Sequence, residues 1–410
     1  MHRRHFLNHA WRGAAAASGL GAVQGRLWAA APEGASTPPR LLMVFLRGAA
    51  DAASVLVPVS SDFYYEARPR IAIARPGAQA DAALPLTTDW GLHPALAGSL
   101  APFYQQGQLA WVPFAGSHNL SRSHFETQDS IEYGFDDITA GAKQQSGFLN
   151  RLAQQLGSQR RDSMAFTDQL PIVLRGALPV PNLRLASSVR NAVDERQAAL
   201  IARMYRDQPL AGAVAEGFEV KREAMRDMAA GASAEMQAAS RNALSSSGFE
   251  AESRRVAQMM RERYHLGFLD VGGWDTHVNQ GNATGTLASR LGELGRGLAA
   301  FADAMGPAWR DTVVVVFSEF GRTLRENGNR GTDHGHGTVC AVMGGRVRGG
   351  RIAGEQVAVS AATLHQNRDF PVLTSYQELF GGLFQRLYGL SPAQVQAVFP
   401  GSQPKDLGLV

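Results

Sequence analysis

The residues best suited to chemistry lie in short polar motifs directly after apolar runs. Gly331-Thr-Asp-His-Gly-His-Gly337 offers one carboxylate, Asp333, and two imidazoles, His334 and His336, among glycines that permit an unusual backbone. Gly272-Gly-Trp-Asp-Thr-His277 places Asp275 and His277 two residues apart, close enough to reach one ion. Glu319 stands just beyond the strand pattern built on four successive valines, three residues after the last of them, where a carboxylate is costly unless paired or bound to a metal. Asp51 follows another apolar run, in Leu46-Arg-Gly-Ala-Ala-Asp51. Aspartate or glutamate oxygen with imidazole nitrogen, and no sulfur, suits zinc or a comparable divalent ion. Each motif has an ordinary alternative: a turn residue for Asp51, an ion pair with Arg322 for Glu319, and a hydrogen-bonded pair for Asp275 and His277.

A nucleophile is available beside these groups. Asn119-Leu-Ser-Arg-Ser-His-Phe125 precedes a helical pattern, so its serines sit where backbone N–H groups and the helix dipole favour an anion. That setting helps a hydroxyl act as an alkoxide near a metal. Arg122 offers paired hydrogen bonds to an anionic group. A plain N-cap with a solvated arginine is the alternative.

The elements that must position these groups follow from hydrophobic pattern. Leu41 to Leu46, Leu109 to Ala115, Leu266 to Val271, Thr312 to Phe317 and Thr338 to Met343 read as buried strands. Ser121 to Tyr133 and Thr286 to Met305 read as helices. This alternation implies an α/β fold with a mostly parallel central sheet, and ligands in such folds collect outside the carboxyl ends of the strands. Residues 190–263 are rich in Ala, Met, Arg and Glu, and read as a helical insertion or cap whose methionines fill a core.

Composition narrows the function. The chain has 410 residues, 45% hydrophobic and 19% charged, enough to bury a sizeable core. Its net charge of +4 matches four arginines, Arg3, Arg4, Arg12 and Arg26, in residues 1–31, a stretch without acids. The remainder is balanced, which argues against nucleic acid as a partner. Cys340 is the only cysteine, which excludes an intrachain disulfide framework and thiolate metal clusters. No uncharged apolar run approaches the ~18 residues of a membrane span. Residues 1–31 combine Arg3-Arg4, a short Ala/Gly-rich apolar run and Ala29-Ala-Ala31, the pattern of a twin-arginine export signal. The chain is therefore expected to meet the twin-arginine translocase and to work in the periplasm or another exported location.

Taken together, Leu46-Arg-Gly-Ala-Ala-Asp51, Tyr65-Glu-Ala-Arg-Pro69, Arg122-Ser-His-Phe125, Gly273-Trp-Asp-Thr-His277, Ser318-Glu-Phe-Gly-Arg322 and Gly331-Thr-Asp-His-Gly335 resemble the exported bacterial family called domain of unknown function 1501. The resemblance runs from about residue 40 to the C-terminus. That family is similar to the alkaline phosphatase and sulfatase superfamily, which implies a three-layer α/β/α sandwich over residues 40–410. It implies Asp51 as a ligand of one metal, Asp275, His277 and His334 as ligands of another, and the Arg122-Ser123 helix start as the nucleophile position. Ser123, inside the Arg-Ser-His-Phe motif, is favoured over Ser121.

One departure stands out. The superfamily usually carries Asp-His where this chain has Glu319-Phe320, and phenylalanine cannot ligate. Either His124 or His336 fills that place, or a second metal is weak or absent. A formylglycine sulfatase is disfavoured, because Cys340 lies far from the nucleophile position. The expectation is an exported hydrolase of phosphate or sulfate esters, with Ser123 and Arg122 at the reacting group. Asp51, Asp275, His277, Glu319, Asp333, His334 and His336 would surround one or two divalent ions, zinc first, with manganese, calcium or magnesium as alternatives. The competing expectation is a non-catalytic cell-envelope binding protein on the same fold with at most one structural metal. A nucleotide-binding reading lacks a phosphate loop.

Overall fold

A computed structural model describes residues 38–137, 140, 143, 145–158, 162–183, 204 and 248–410. The expected export signal at 1–31 lies outside these residues, as does most of the expected insertion at 190–263.

The strands in chain order are β1 (Arg40–Arg47), β2 (Leu56–Val57), β3 (Leu84–Pro85), β4 (Gly91–Leu92), β5 (Leu109–Gly116), β6 (Ser163–Phe166), β7 (Leu266–Gly272), β8 (Thr312–Ser318), β9 (Thr338–Met343), β10 (Arg351–Ile352) and β11 (Thr374–Ser375). Eight of them form one sheet in the order β10-β5-β9-β8-β1-β7-β6, with β11 also pairing with β5. β1 is parallel to both β7 and β8, with Leu46 opposite Ser318 and Arg47 opposite Gly272. β9 alone runs antiparallel to both its neighbours. Strands β2, β4 and β3 make a small separate antiparallel sheet.

The continuous apolar strands are explained by two covered faces. Leu41, Met43 and Phe45 of β1 enter one core with the helices Phe148–Gln155, Tyr376–Tyr388 and Pro392–Val398. Leu42, Val44 and Leu46 enter the other, with Gly248–Glu262 and Thr286–Met305. Each large aliphatic or aromatic side chain buried this way contributes about 1.5–3 kcal/mol. Met259 and Met260 are buried there as packing residues. The architecture is an α/β fold with a mostly parallel sheet flanked by helices on both faces. Among the described residues no helix is long and apolar enough to cross a membrane.

Topology decides where the polar motifs meet. β1, β5, β7 and β8 end at the same edge. No helix crosses between β8 and β9, and without such a crossover β9 returns antiparallel. The loop before β9 therefore lies at the carboxyl edge too, bringing residues 333–336 beside the loops after β1, β5, β7 and β8.

Candidate metal centre

Three imidazoles converge at this edge. His124 is the first residue of the helix His124–Tyr133, with Ser123 as its N-cap. The helix starts three residues later than its pattern suggests, because Asn119 and Ser121 take up the backbone N–H groups of Ser121 and Ser123 in successive side-chain turns. His277 comes from the loop after β7, and His334 from the loop before β9. The His334 Nε2 atom lies 3.0 Å from Nε2 of His124 and 3.0 Å from Nε2 of His277. Asp275 closes the group, with Oδ1 2.8 Å from His277 Nε2 and 3.3 Å from His334 Nε2. Its Oδ2 is 3.6 Å from His124 Nε2.

The outer nitrogen of each ring faces an acceptor. His124 Nδ1 is 2.7 Å from Glu319 Oε1, His334 Nδ1 is 2.9 Å from the Arg122 carbonyl, and His277 Nδ1 is 3.4 Å from Asp333 Oδ1. These partners assign the proton to Nδ1 in neutral His124 and His334 and leave their two Nε2 lone pairs pointing inward; His277 instead has its nearer acceptor at Nε2, Asp275 Oδ1 at 2.8 Å. Lone pairs 3 Å apart repel unless a proton or a cation lies between them. Ligands placed 2.0–2.2 Å from one tetrahedral ion stand about 3.3 Å from each other, close to the separations here. Carboxylate or carbonyl support behind each imidazole is the usual arrangement around a bound ion. The donor set of His124, Asp275 and His334 thus fits a divalent metal of the zinc type, with His277 beside it.

Backbone conformation permits the approach. Gly48 has φ +115°, and a Cβ there would stand 2.8 Å from the Asp275 amide nitrogen. A Cβ on Gly335 would meet the Arg322 carbonyl carbon at 2.5 Å. The loops after β1 and before β9 could not close on their neighbours with larger residues.

Charges are balanced from below. Arg322 donates to Asp275 Oδ1 at 2.6 Å and to the Thr332 hydroxyl at 3.1 Å. Partial burial of Asp275 raises its pKa. The Arg322 hydrogen bond and charge, with His277 and His124, outweigh that and hold it below the usual carboxylate range. Glu319, fully buried, accepts from Gly48 N–H and Gln128 Nε2, each at 2.8 Å. Burial pushes Glu319 up, but its hydrogen bonds, that from His124 foremost, bring it below the ordinary value. The hydrogen bond to Glu319 raises the pKa of His124 against the effect of burial, whereas burial and the charge of His124 lower that of His334. Phe320 stacks on His124 with ring centroids 4.9 Å apart and also flanks His334 at 5.3 Å.

The candidate residues read from sequence thus fall into three groups. Asp275, His277 and His334 meet, and His124 joins them. Glu319 and Asp333 stand behind the imidazoles and orient them. Asp51, His336 and the Arg122 guanidinium lie in other contacts. Asp51 is sealed by Arg68, which donates to its two oxygens at 2.6 and 2.9 Å, both side chains being essentially unexposed. His336 packs on His365 at 4.9 Å, and burial followed by the charges of His365, Arg122 and His118 pushes its pKa down to about 4. Arg122 pairs with Asp369 at 2.7 Å and Gln366 at 3.1 Å. Ser123 immediately precedes His124, and its side chain makes no capping hydrogen bond.

Sequence reasoning did not assign His124 as a primary ligand, although Arg122-Ser-His-Phe125 after a strand carried the signal. The ordinary alternative kept for Glu319, an ion pair with Arg322, is not formed; Arg322 serves Asp275. Gln128, Arg68 and Gln280 gave no pattern of their own, except that Arg68 belongs to Tyr65-Glu-Ala-Arg-Pro69.

Among curated proteins no match is found. The family described as "Protein of unknown function (DUF1501)" matches residues 38–399, and the chain belongs to that family.

Proposed function

We propose that the chain is an exported, metal-dependent hydrolase of phosphate or sulfate esters, similar to the alkaline phosphatase and sulfatase superfamily and using a single divalent ion. The convergence of three imidazole Nε2 atoms on the Asp275 carboxylate carries this reading. A divalent ion there, zinc foremost, supplies Lewis acidity that polarises an ester oxygen and lowers the pKa of a nearby hydroxyl. His124, His334 and Asp275 would hold it, with His277 beside them; Glu319, Asp333 and the Arg122 carbonyl stand behind the three rings and orient them. With three protein ligands and side-chain exposures of 38% for His277 and 43% for Asp275, a coordination position is left open to substrate, as a catalytic rather than a closed structural site requires. Ser123, at the start of a ten-residue helix, is the candidate nucleophile, aided by the positive end of the helix dipole. A single ion follows from Asp51, whose counter-charge is already supplied by Arg68. The twin-arginine pattern of residues 1–31 supports export to the periplasm with the ion bound before translocation.

A second reading, a non-catalytic cell-envelope binding protein with one structural metal, is favoured by one observation. The Arg122 guanidinium is engaged by Asp369 rather than free for an anion. Elemental analysis of protein purified without chelator or affinity metal, combined with turnover of phosphate and sulfate esters, separates the readings. The enzyme reading expects about one equivalent of metal, loss of that metal in Asp275→Ala, and loss of turnover with metal retained in Ser123→Ala. Unchanged metal in Asp275→Ala sinks the centre. Bound metal with no turnover of any ester leaves the binding protein.

A further inference from the structure

We infer that Gln280 is a positioning residue for this centre, coupling the sealed Asp51–Arg68 pair to both loops that carry its ligands; the inference rests on the metal reading above. Gln280 is fully buried. Its Nε2 donates to Asp51 Oδ2 at 2.7 Å and to the Ser54 hydroxyl at 3.3 Å. Its Oε1 accepts from the Thr276 hydroxyl at 2.8 Å and the Thr332 hydroxyl at 3.1 Å. Thr276 lies between Asp275 and His277. Thr332 lies directly before Asp333-His334. One amide therefore grips both ligand loops.

The orientation of that amide is not free. An ionised aspartate only accepts hydrogen bonds, so Asp51 forces the NH2 group toward itself and turns the carbonyl toward the two threonines. Asp51 is ionised because Arg68 clamps both its oxygens. Arg68 also donates to the carbonyls of Leu324 at 2.6 Å and Thr323 at 3.0 Å, tying in the segment that follows Arg322. Thr332 N–H further bonds the Thr276 carbonyl at 3.2 Å, so the two loops also hold each other. The Asp51 and Tyr65–Pro69 motifs thereby gain a role without touching a metal. Ligand geometry must hold within about 0.5 Å to bind an ion well, and locked supporting hydrogen bonds provide that.

The test compares the double variant Thr276→Val/Thr332→Val with Thr276→Ser/Thr332→Ser in the full-length protein. Zinc affinity is measured by competition with a chromogenic chelator, and the melting temperature of the chelator-treated protein is measured beside it. Valine keeps the volume but removes both hydroxyls; serine restores them. The Thr332 hydroxyl also accepts from Arg322 Nε at 3.1 Å, so Thr276→Val alone, which touches only the Gln280 contact, is measured beside the double variant and must weaken zinc binding too. Positioning predicts zinc binding weaker by about 10–100-fold in the valine variant and within about threefold of the parent in the serine variant. A folded valine variant with parental zinc affinity overturns the inference, as does a serine variant weakened equally. If the valine double variant does not fold, Thr276→Val against Thr276→Ser is read the same way. Absence of zinc uptake by the parent protein overturns the metal reading, and this inference with it.

Discussion

Asp51 and Asp275 each follow a buried parallel strand at the same sheet edge, yet their surroundings are opposite. The Asp51 side chain is 1% exposed and holds a guanidinium with both oxygens, whereas that of Asp275 is 43% exposed and faces three imidazoles. A carboxylate at a strand end needs a positive partner when buried. For Asp51 the chain supplies that partner. For Asp275 it supplies Arg322 on one oxygen and leaves the other turned toward His124. The difference teaches that what sets the two apart is a free oxygen: Arg68 takes both oxygens of Asp51, whereas Arg322 takes only one of Asp275 and leaves the other for the proposed centre.

The largest effect that tests this contrast is on stability. Asp51→Ala leaves a buried guanidinium without its counter-charge and is expected to cost about 3–5 kcal/mol. Urea unfolding of the metal-free protein measures it. At saturating zinc the folded fraction should keep its metal stoichiometry, with affinity weakened because Gln280 loses the anchor that orients it. A variant as stable as the parent but stripped of metal would make Asp51 a ligand after all. The pair is also acid-sensitive. Burial raises the Asp51 pKa, but the charge of Arg68 and hydrogen bonds from Arg68, Ser54 and Gln280 take it below the usual value of 3.8. The stabilisation is therefore complete above the unfolded pKa and is lost only as pH falls through the lower folded one.

Glu319→Gln comes next. Glu319 reads from sequence as a ligand, but it sits behind His124. Removing its charge should weaken zinc binding by about 10–100-fold, the usual cost of losing an outer partner. Metal stoichiometry at saturating zinc should be unchanged. A lost equivalent would make Glu319 a direct ligand.

A smaller, graded effect distinguishes the exposed centre from the sealed pair at neutral pH. The hydrogen bond to Glu319 raises the pKa of His124 in the metal-free protein, against the effect of burial. The stabilisation from that imidazolium is complete below the unfolded pKa of about 6.5 and is lost as pH rises through the higher folded value. A proton on His124 Nε2 competes with an ion. Below the folded pKa of His124, zinc affinity should fall by about tenfold per pH unit for the one proton displaced. Chelator competition between about pH 5.5 and 8 covers this window. A flat profile would remove His124 from the ligands.

Fold and site were legible to different depths. Strands β1, β5, β7, β8 and β9 stand out because both faces of the sheet are covered, which makes their sequences apolar without interruption. The place where these motifs meet follows from strand ends, and the motifs that carry Asp275, His277 and His334 are visible as short polar stretches after or before strands. What sequence did not give is pairing. Arg68 lies 17 residues from Asp51, and Gln280 lies 229 residues from it. No local pattern records which cation reaches which carboxylate. Nor does the valine run announce that β9 returns antiparallel, although that reversal carries His334 to the site.

The smallest effect concerns Phe320, the residue whose type argues against a ligand at that position. It is 2% exposed and lies against both His124 and His334. Aromatic contacts of this kind contribute about 0.5–1.5 kcal/mol beyond their buried area. Phe320→Leu keeps the apolar cover but loses the flat face against which His124 rests. Both rings keep their Nδ1 partners, so the centre should persist with zinc affinity reduced by less than about tenfold. Zinc competition assays on Phe320→Leu and Glu319→Gln, made side by side, rank the two supports of His124. If Phe320→Leu weakens binding more than Glu319→Gln, packing rather than the hydrogen bond to Glu319 sets the orientation of that ring.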